Sequence, residues 1–258
     1  MTRISQLFVR LRREQRCGMI AYLTAGDPTP EATPGLVAAL ERGGADLIEL
    51  GVPFSDPIAD GPVIQQAGDR AIRAGATLTK VLAIAAEIRK TSEIPLLLFT
   101  YLNPALRYGF ERLARDAKAA GVDGCLLTDV SVEEARDYVK VMRAADLDTV
   151  FLAAPTSTDA RLKLIAEYSS GFVYLVSRMG ITGEQKTIAD SALPLVERMR
   201  AHTALPLAMG FGISQPEHVA ALAGKVEAVV VGSAIVRQIE RDPAGLEAFM
   251  RSLTQPLI

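Results

Sequence analysis

Short apolar runs recur along the chain, spaced so that a helix fits between successive runs. They are Met19–Ala25, Asp46–Val52, Pro95–Leu102, Gly124–Val130, Thr149–Pro155, Phe172–Arg178, Pro206–Gly212 and Ala228–Ala234. Each has the length and the turn-forming boundaries of a buried strand. Between them, Leu36–Arg42, Leu78–Lys90, Phe110–Ala120, Val132–Ala144 and Thr158–Tyr168 carry helical periodicity. Ahead of the first run, Ile4, Leu7, Phe8 and Leu11 fall at i, i+3, i+4 and i+7, which predicts a leading helix packed on a core. The junctions into strands resemble one another: Gly44-Ala-Asp46, Gly121-Val-Asp123, Ala145-Asp-Leu-Asp148 and Gly224-Lys-Val-Glu227. Each ends a helix on a small or turn-forming residue and opens a strand. Strands alternating with helices imply a parallel sheet, and eight of them imply closure. The expected fold is α/β, a (β/α)8 TIM barrel with an extra N-terminal helix over one end. No Ser-, Pro- or Gly-rich linker interrupts the series, so residues 1–258 are expected to form a single domain.

Period-two alternation assigns faces within each strand. In the second run Leu47, Glu49 and Gly51 share one face, and Ile48 and Leu50 the other. Isoleucine and leucine suit the helix layer, so Glu49 is expected to point into the barrel near the carboxyl end. A carboxylate there is costly to bury without a partner or a task. Pro53, Pro57 and Gly61 then force a loop, and Asp60 lies in it, so the two acids could face one cavity. The same parity brings Phe99 and Tyr101 of the third run and Tyr174 and Val176 of the sixth to that cavity. The chain has only eight Phe and six Tyr, several of them at strand ends.

The late loops hold a second constellation. Gly180 and Gly183, Gly210 and Gly212, and Gly232 followed by Ser233 sit after strands six, seven and eight. Glycines there let backbone N–H groups approach an anion, and a short helix opening at Ser233 would aim its dipole at the same spot. Loops seven and eight of this fold commonly form a phosphate site.

Composition narrows the picture by exclusion. The 258 residues are 49% apolar and 22% charged, as in an ordinary globule, and the net charge of −2 offers no attraction to nucleic acid or an anionic membrane. Cys17 and Cys125 have no metal or redox spacing, and His202 and His218 say nothing about metal. No apolar run approaches the roughly eighteen residues of a membrane span. Arg3, Arg10, Arg12, Arg13 and Arg16 make the first segment basic, yet its apolar stripe reads as a packed helix of a cytoplasmic protein rather than a transit peptide.

The run Leu47-Ile-Glu-Leu-Gly-Val-Pro-Phe-Ser-Asp-Pro-Ile-Ala-Asp-Gly61 resembles the signature of the tryptophan synthase alpha chain family. Thr24-Ala-Gly-Asp-Pro28, Asn103-Pro104, Asp129-Val130 with Glu133-Glu134, Ser177-Arg178 with Gly180, Thr182-Gly183, Gly210-Phe-Gly-Ile-Ser214 and Gly232-Ser233 fit that family in order. The resemblance implies a lyase that cleaves indole-3-glycerol phosphate into indole and glyceraldehyde 3-phosphate, a scheme that needs no metal or organic cofactor. It makes Glu49 the acid–base residue and Asp60 the carboxylate that meets the indole N–H. It assigns Tyr22, Phe99, Tyr101, Leu126, Leu152, Tyr174 and Phe211 to the indole pocket, and Gly183, Gly212, Gly232 and Ser233 to the phosphate. Thr182 would close the strand-six loop over Asp60, which makes Met179–Ala189 an expected lid that substrate orders. The resemblance also implies a beta-chain partner that consumes the indole, in an α2β2 tetramer, with the loops after strands two and six and the neighbourhood of Ser131 near the contact.

Three positions depart from the family pattern: Met179, Ser131 and Thr128. They bear on loop closure and rate and remove no catalytic group. Two other readings compete. One is another phosphate-binding barrel of tryptophan biosynthesis, such as indole-glycerol-phosphate synthase, whose chemistry wants a strand-end Lys that these runs lack. The other is a catalytically weak subunit that mainly activates a beta chain, which the joint presence of Glu49, Asp60, Thr182 and the glycines opposes.

Overall fold

The computed structural model describes residues 1–176, 188–210 and 212–257, and within 188–192 the backbone alone. Helix α1 (Arg3–Arg13) leads into β1 (Gly18–Thr24), α2 (Thr33–Arg42), β2 (Leu47–Gly51), α3 (Pro62–Arg73), α4 (Leu78–Ile88) and β3 (Leu96–Thr100). Next come α5 (Leu102–Tyr108), α6 (Phe110–Ala119), β4 (Gly124–Leu127), α7 (Arg136–Ala144), β5 (Asp148–Val150), β6 (Leu152–Ala153) and α8 (Asp159–Tyr168). The chain finishes with β7 (Val173–Val176), α9 (Ile188–Arg200), β8 (Leu207–Gly210), α10 (Pro216–Leu222), β9 (Ala228–Val231), α11 (Ser233–Arg241) and α12 (Leu246–Thr254).

Neighbouring strands are parallel, in the order β5-β4-β3-β2-β1-β9-β8-β7-β6. The two ends of that order, β5 and β6, are halves of the expected fifth strand, separated by Phe151 alone. The first half pairs with β4 and the second with β7, so this one stretch closes the barrel.

Alternation along the strands separates two cores. Ile48, Leu50, Leu96 and Leu98 face the helix layer. Ile20, Leu47, Leu97, Leu126, Val150, Phe172 and Ala208 face inward, where they meet Ile4, Leu7, Phe8 and Leu11 of α1. The ring of Phe8 lies 5.7 Å from that of Phe172. Helix α1 therefore plugs the barrel at the amino ends of the strands, its four buried side chains each contributing roughly 1.5–3 kcal/mol. Thr2 starts it well, because its side chain accepts the Ser5 N–H.

The repeated acids at the strand junctions have a common task. Asp46 accepts the Met19 N–H at 2.9 Å, Asp123 that of Leu96 at 2.9 Å and Glu227 that of Leu207 at 2.7 Å. Each acid thus satisfies an N–H at the start of the neighbouring strand, and each also holds an arginine: Arg16, Arg89 and Arg200 respectively. Asp148 instead accepts the Thr2 hydroxyl, and Arg3 reaches Asp123 at 3.2 Å, so the same ring of acids ties α1 to the barrel floor.

Several element boundaries differ from the sequence expectation. Leu102 opens α5 rather than ending the third strand, because its N–H is taken by the Asp129 carboxylate at 2.6 Å instead of by a strand. Val132–Glu134 is a single 3-10 turn, and the helix starts only at Arg136. Helix α9 starts at Ile188, inside the expected lid; buried Leu195, Val196 and Met199 anchor it, and the helix runs back from them by about two turns. The rest of the Met179–Ala189 expectation, to residue 187, lies outside the described residues.

Asp46 makes the floor testable. Asp46→Ala strands the Met19 N–H and half-buried Arg16, and should cost about 3 kcal/mol of stability in urea unfolding. Asp46→Asn keeps an acceptor and should lose clearly less.

Candidate active site

Glu49 occupies the middle of β2, directly across from Tyr22 on one side and Leu97 on the other. Its side chain points into the barrel, just above the layer that α1 seals, and the residue is 1% exposed. Among the described residues its Oε1 has no hydrogen-bond partner. Burial pushes the carboxyl pKa up to about 8, so the group is mostly protonated at neutral pH.

Aromatic rings roof this carboxyl. Tyr22 meets Phe99 edge to face at 5.2 Å, and its hydroxyl lies 3.3 Å from that of Thr24. A side chain at Gly51 would collide with the Tyr22 hydroxyl, and one at Gly210 with the Tyr174 hydroxyl. These strand-end glycines make room for two phenols. Burial raises both phenol pKa values, and for Tyr174 the nearby Glu49 and Tyr22 add to it. Phe99, Leu152 and Tyr174 are only partly buried and line the open side of the interior core. Leu126, which the resemblance assigns to the pocket, is wholly buried within that core and sits below its open side.

Asp60 ends the loop that leaves β2. Its N–H bonds the Pro57 carbonyl at 3.0 Å, Gly61 follows, and Pro62 starts α3. Gln65, one turn into that helix, donates to the Asp60 carbonyl at 2.9 Å. Tyr101, one residue beyond β3, is 2% exposed and holds both ends of the loop: its ring lies 5.2 Å from Phe54, and its hydroxyl accepts the Ala59 N–H at 3.1 Å. Burial raises the Asp60 pKa, and the Tyr101 hydroxyl opposes that rise. The Tyr22 hydroxyl is raised by Asp60 and, less strongly, by Glu49. Both acids therefore lie near enough to that one phenol to perturb it.

At the other side of the mouth, Gly232 and Ser233 open α11, and among the described residues no side chain caps its first N–H groups. Gly212 has φ of +71°, a conformation that favours glycine. Thr182, Gly183, Phe211 and Met179 lie outside the described residues. Phe54, Thr24 and Gln65 escape sequence reasoning as site residues. Only Gln65 carries a local signal, a polar side chain one turn past a loop acid. Among the described residues no group of three or more His, Cys, Asp or Glu side chains could hold a metal ion, and no helix is long and apolar enough to cross a membrane.

A buried acid with a raised pKa near the strand ends, a second carboxylate in the next loop and a helix opening at the same mouth fit proton chemistry on a substrate with an anionic tail. That defines a class, the (β/α)8-barrel enzymes of phosphorylated metabolites. The sequence model described as "Tryptophan synthase alpha chain" matches residues 8–255. The tryptophan synthase alpha chain of Solibacter usitatus is 67% identical over 100% of this chain and 97% of its own length. That of Geotalea uraniireducens is 47% identical, covering 93% and 90%. The crystal structure of tryptophan synthase subunit alpha from Legionella pneumophila str. Paris superposes with a TM-score of 0.92 at 34% identity, covering 100% of this chain and 98% of that one. The chain belongs to the tryptophan synthase alpha chain family. It is a lyase of indole-3-glycerol phosphate cleavage, in a family that partners with a beta chain.

The raised pKa of Glu49 has a stability signature. Between the ordinary carboxyl pKa near 4.5 and the folded value of about 8, the native state binds a proton that the unfolded state has lost. Stability contributed by Glu49 is therefore full below that window and falls as pH rises through it, by at most about 1.4 kcal/mol per pH unit. Glu49→Gln should flatten this decline between pH 5 and 8 in denaturant titrations. An unchanged slope would show that the carboxyl is not protonated in the fold.

Proposed function

We propose that Glu49 and Asp60 carry the cleavage of indole-3-glycerol phosphate to indole and glyceraldehyde 3-phosphate, with the phosphate bound at the start of α11. The observation that carries this reading is the Glu49 carboxyl: buried, unpartnered at Oε1 among the described residues, and poised with a pKa of about 8. In its neutral form it can donate a proton to C3 of the indole ring, which turns the ring into an electron sink. The resulting carboxylate, equally buried, is a strong enough base to take the proton of the adjoining glycerol hydroxyl. As that O–H bond breaks, a carbonyl forms and the C3–glycerol bond cleaves. Its electron pair returns to the ring and restores neutral indole, and Glu49 is protonated again.

Asp60 supports the other end of the ring. C3 protonation places positive charge on the indole nitrogen, and a carboxylate accepting the N–H stabilises that charge. The rings of Tyr22, Phe99, Tyr101 and Tyr174, with Leu152, offer the apolar walls, and Leu126 backs them from below. Gly212, Gly232 and Ser233 present backbone N–H groups and a hydroxyl to the phosphate; family resemblance adds Gly183 beside them, Phe211 to the indole pocket and Thr182 closing over Asp60. The chain is read as a cytoplasmic subunit, one domain over 1–258, that passes indole to a beta chain in an α2β2 tetramer.

Indole release from indole-3-glycerol phosphate tests the assignment. Glu49→Gln should leave less than about a tenth of the wild-type rate, a loss above ~1.4 kcal/mol. In the wild type, kcat/KM should fall as pH rises through about 8, because the protonated acid starts the reaction. Retention of the rate by Glu49→Gln would remove Glu49 from the chemistry. Asp60→Asn should also be severe, since an amide cannot balance the developing charge.

A crystal grown with phosphate or glycerol phosphate gives an independent check. The anion should lie against the N–H groups of Gly212, Gly232 and Ser233. An anion held by Arg or Lys side chains elsewhere on the mouth would overturn the phosphate assignment.

A further inference from the structure

Helix α3 carries Asp60 at its leading end, and α11 offers its leading end to the phosphate. The two helices touch directly. Ala67 of α3 is wholly buried against Tyr22 of β1 and Val236 of α11, with Val63 and Ile64 at its edge. The loop after β1 lies beneath α3: a side chain at Gly26, with φ of +94°, would press on Ala71 of that helix and strike Ala76 just past its end.

One side chain ties all three segments. Arg70, in the last turn of α3, grips Asp27 with two parallel bonds, Nε to Oδ1 at 2.8 Å and Nη2 to Oδ2 at 2.9 Å. Its remaining amino group, Nη1, donates to Glu240 of α11 at 2.8 Å. Asp27 is buried and belongs to the loop leaving β1, so it is a rigid anchor; Glu240 is about half exposed. A guanidinium is planar and presents its donors in a fixed fork, so this arrangement fixes angles as well as distances.

We propose that Arg70 is a positioning residue for catalysis, setting the separation between the Asp60 end and the phosphate end of the substrate site. The proposal rests on the assignment of Asp60 and the α11 start given above. Among the described residues Arg70 bonds neither Glu49 nor Asp60, and it works by locking α3 to α11 through Asp27 and Glu240. A substrate that must reach both ends at once depends on that spacing. A fragment that meets one end does not.

The distinction gives the test. Arg70→Lys keeps a cation beside Asp27 and loses the fork, and Glu240→Ala cuts only the link to α11. In Arg70→Lys, kcat for indole-3-glycerol phosphate should fall about tenfold or more, since small misplacements of reacting groups carry losses of that order. Glu240→Ala should lose about threefold, and Glu240→Gln, which keeps an acceptor, should lie between it and the wild type. The dissociation constant for glycerol 3-phosphate, which meets the α11 end alone, should stay within about twofold in all three variants. Rates within twofold of wild type in both Arg70→Lys and Glu240→Ala would overturn the proposal. So would a weakening of glycerol 3-phosphate that matches the loss of rate, which places the damage in the anion site itself. If Arg70→Lys does not fold, the two Glu240 variants decide, since that side chain is half exposed. Failure of the wild type to release indole would instead overturn the functional assignment, a result the variants cannot mimic.

Discussion

A closed parallel sheet has one inside, and every second side chain must enter it. That constraint, combined with the plug formed by α1, governs the rest of the molecule. Ile4, Leu7, Phe8 and Leu11 fill the interior from the amino ends of the strands, so substrate has only the opposite mouth to approach. Along β2 the environment changes with each inward step. Leu47 lies in the packed core, Glu49 sits at its upper boundary, and Gly51 lies under the Tyr22 hydroxyl. The carboxyl is therefore deep enough to be desolvated and high enough to be reached. The fold, through the parity of one strand, sets the proton affinity of its central acid.

What can be read from sequence is what repeats locally. The stripe of α1 and the alternation of β2 are short-range patterns, and the helix and the inward Glu49 follow them residue by residue. The recurring acids at strand junctions are visible as a repeat, but their purpose is not. Asp46 serves Met19, 27 residues away, and that pairing exists only once β1 and β2 are neighbours. The grip of Arg70 on Asp27 spans 43 residues and its bond to Glu240 spans 170, so nothing in the local chain announces them. The start of α5 at Leu102 is hidden for the same reason, since the Asp129 carboxylate that diverts the strand arrives from the next loop. For Leu126, family resemblance names the wall of a pocket, and packing shows the layer beneath it.

The two ends of the strands answer to different demands. At the amino ends, acids, arginines and α1 hold the sheet together with paired charges and satisfied N–H groups. At the carboxyl ends one carboxyl oxygen of Glu49 is left without a partner among the described residues, a condition that costs stability and that chemistry can use. Tyr101 shows how the second end is kept in order despite that cost. One phenol braces both Phe54 and Ala59, so the loop between them is shaped by a side chain from the neighbouring strand.

The divided fifth strand carries a different consequence, one of association. Elsewhere each strand is in register with a neighbour on both sides, but here the register passes from β5 with β4 to β6 with β7, with Phe151 between them. Its ring lies outside the barrel, near Tyr138 at 6.3 Å and Tyr168 at 6.4 Å, and these rings hold the joint against the helix layer. Because the stretch is covalently continuous, the sheet could open here only by losing its pairing with β4 or β7, and that would turn a barrel without edges into a curled sheet with two. Unpaired parallel edges of apolar strands recruit other chains. Damage at Phe151 would thus surface first as self-association, well away from the acids that do the chemistry.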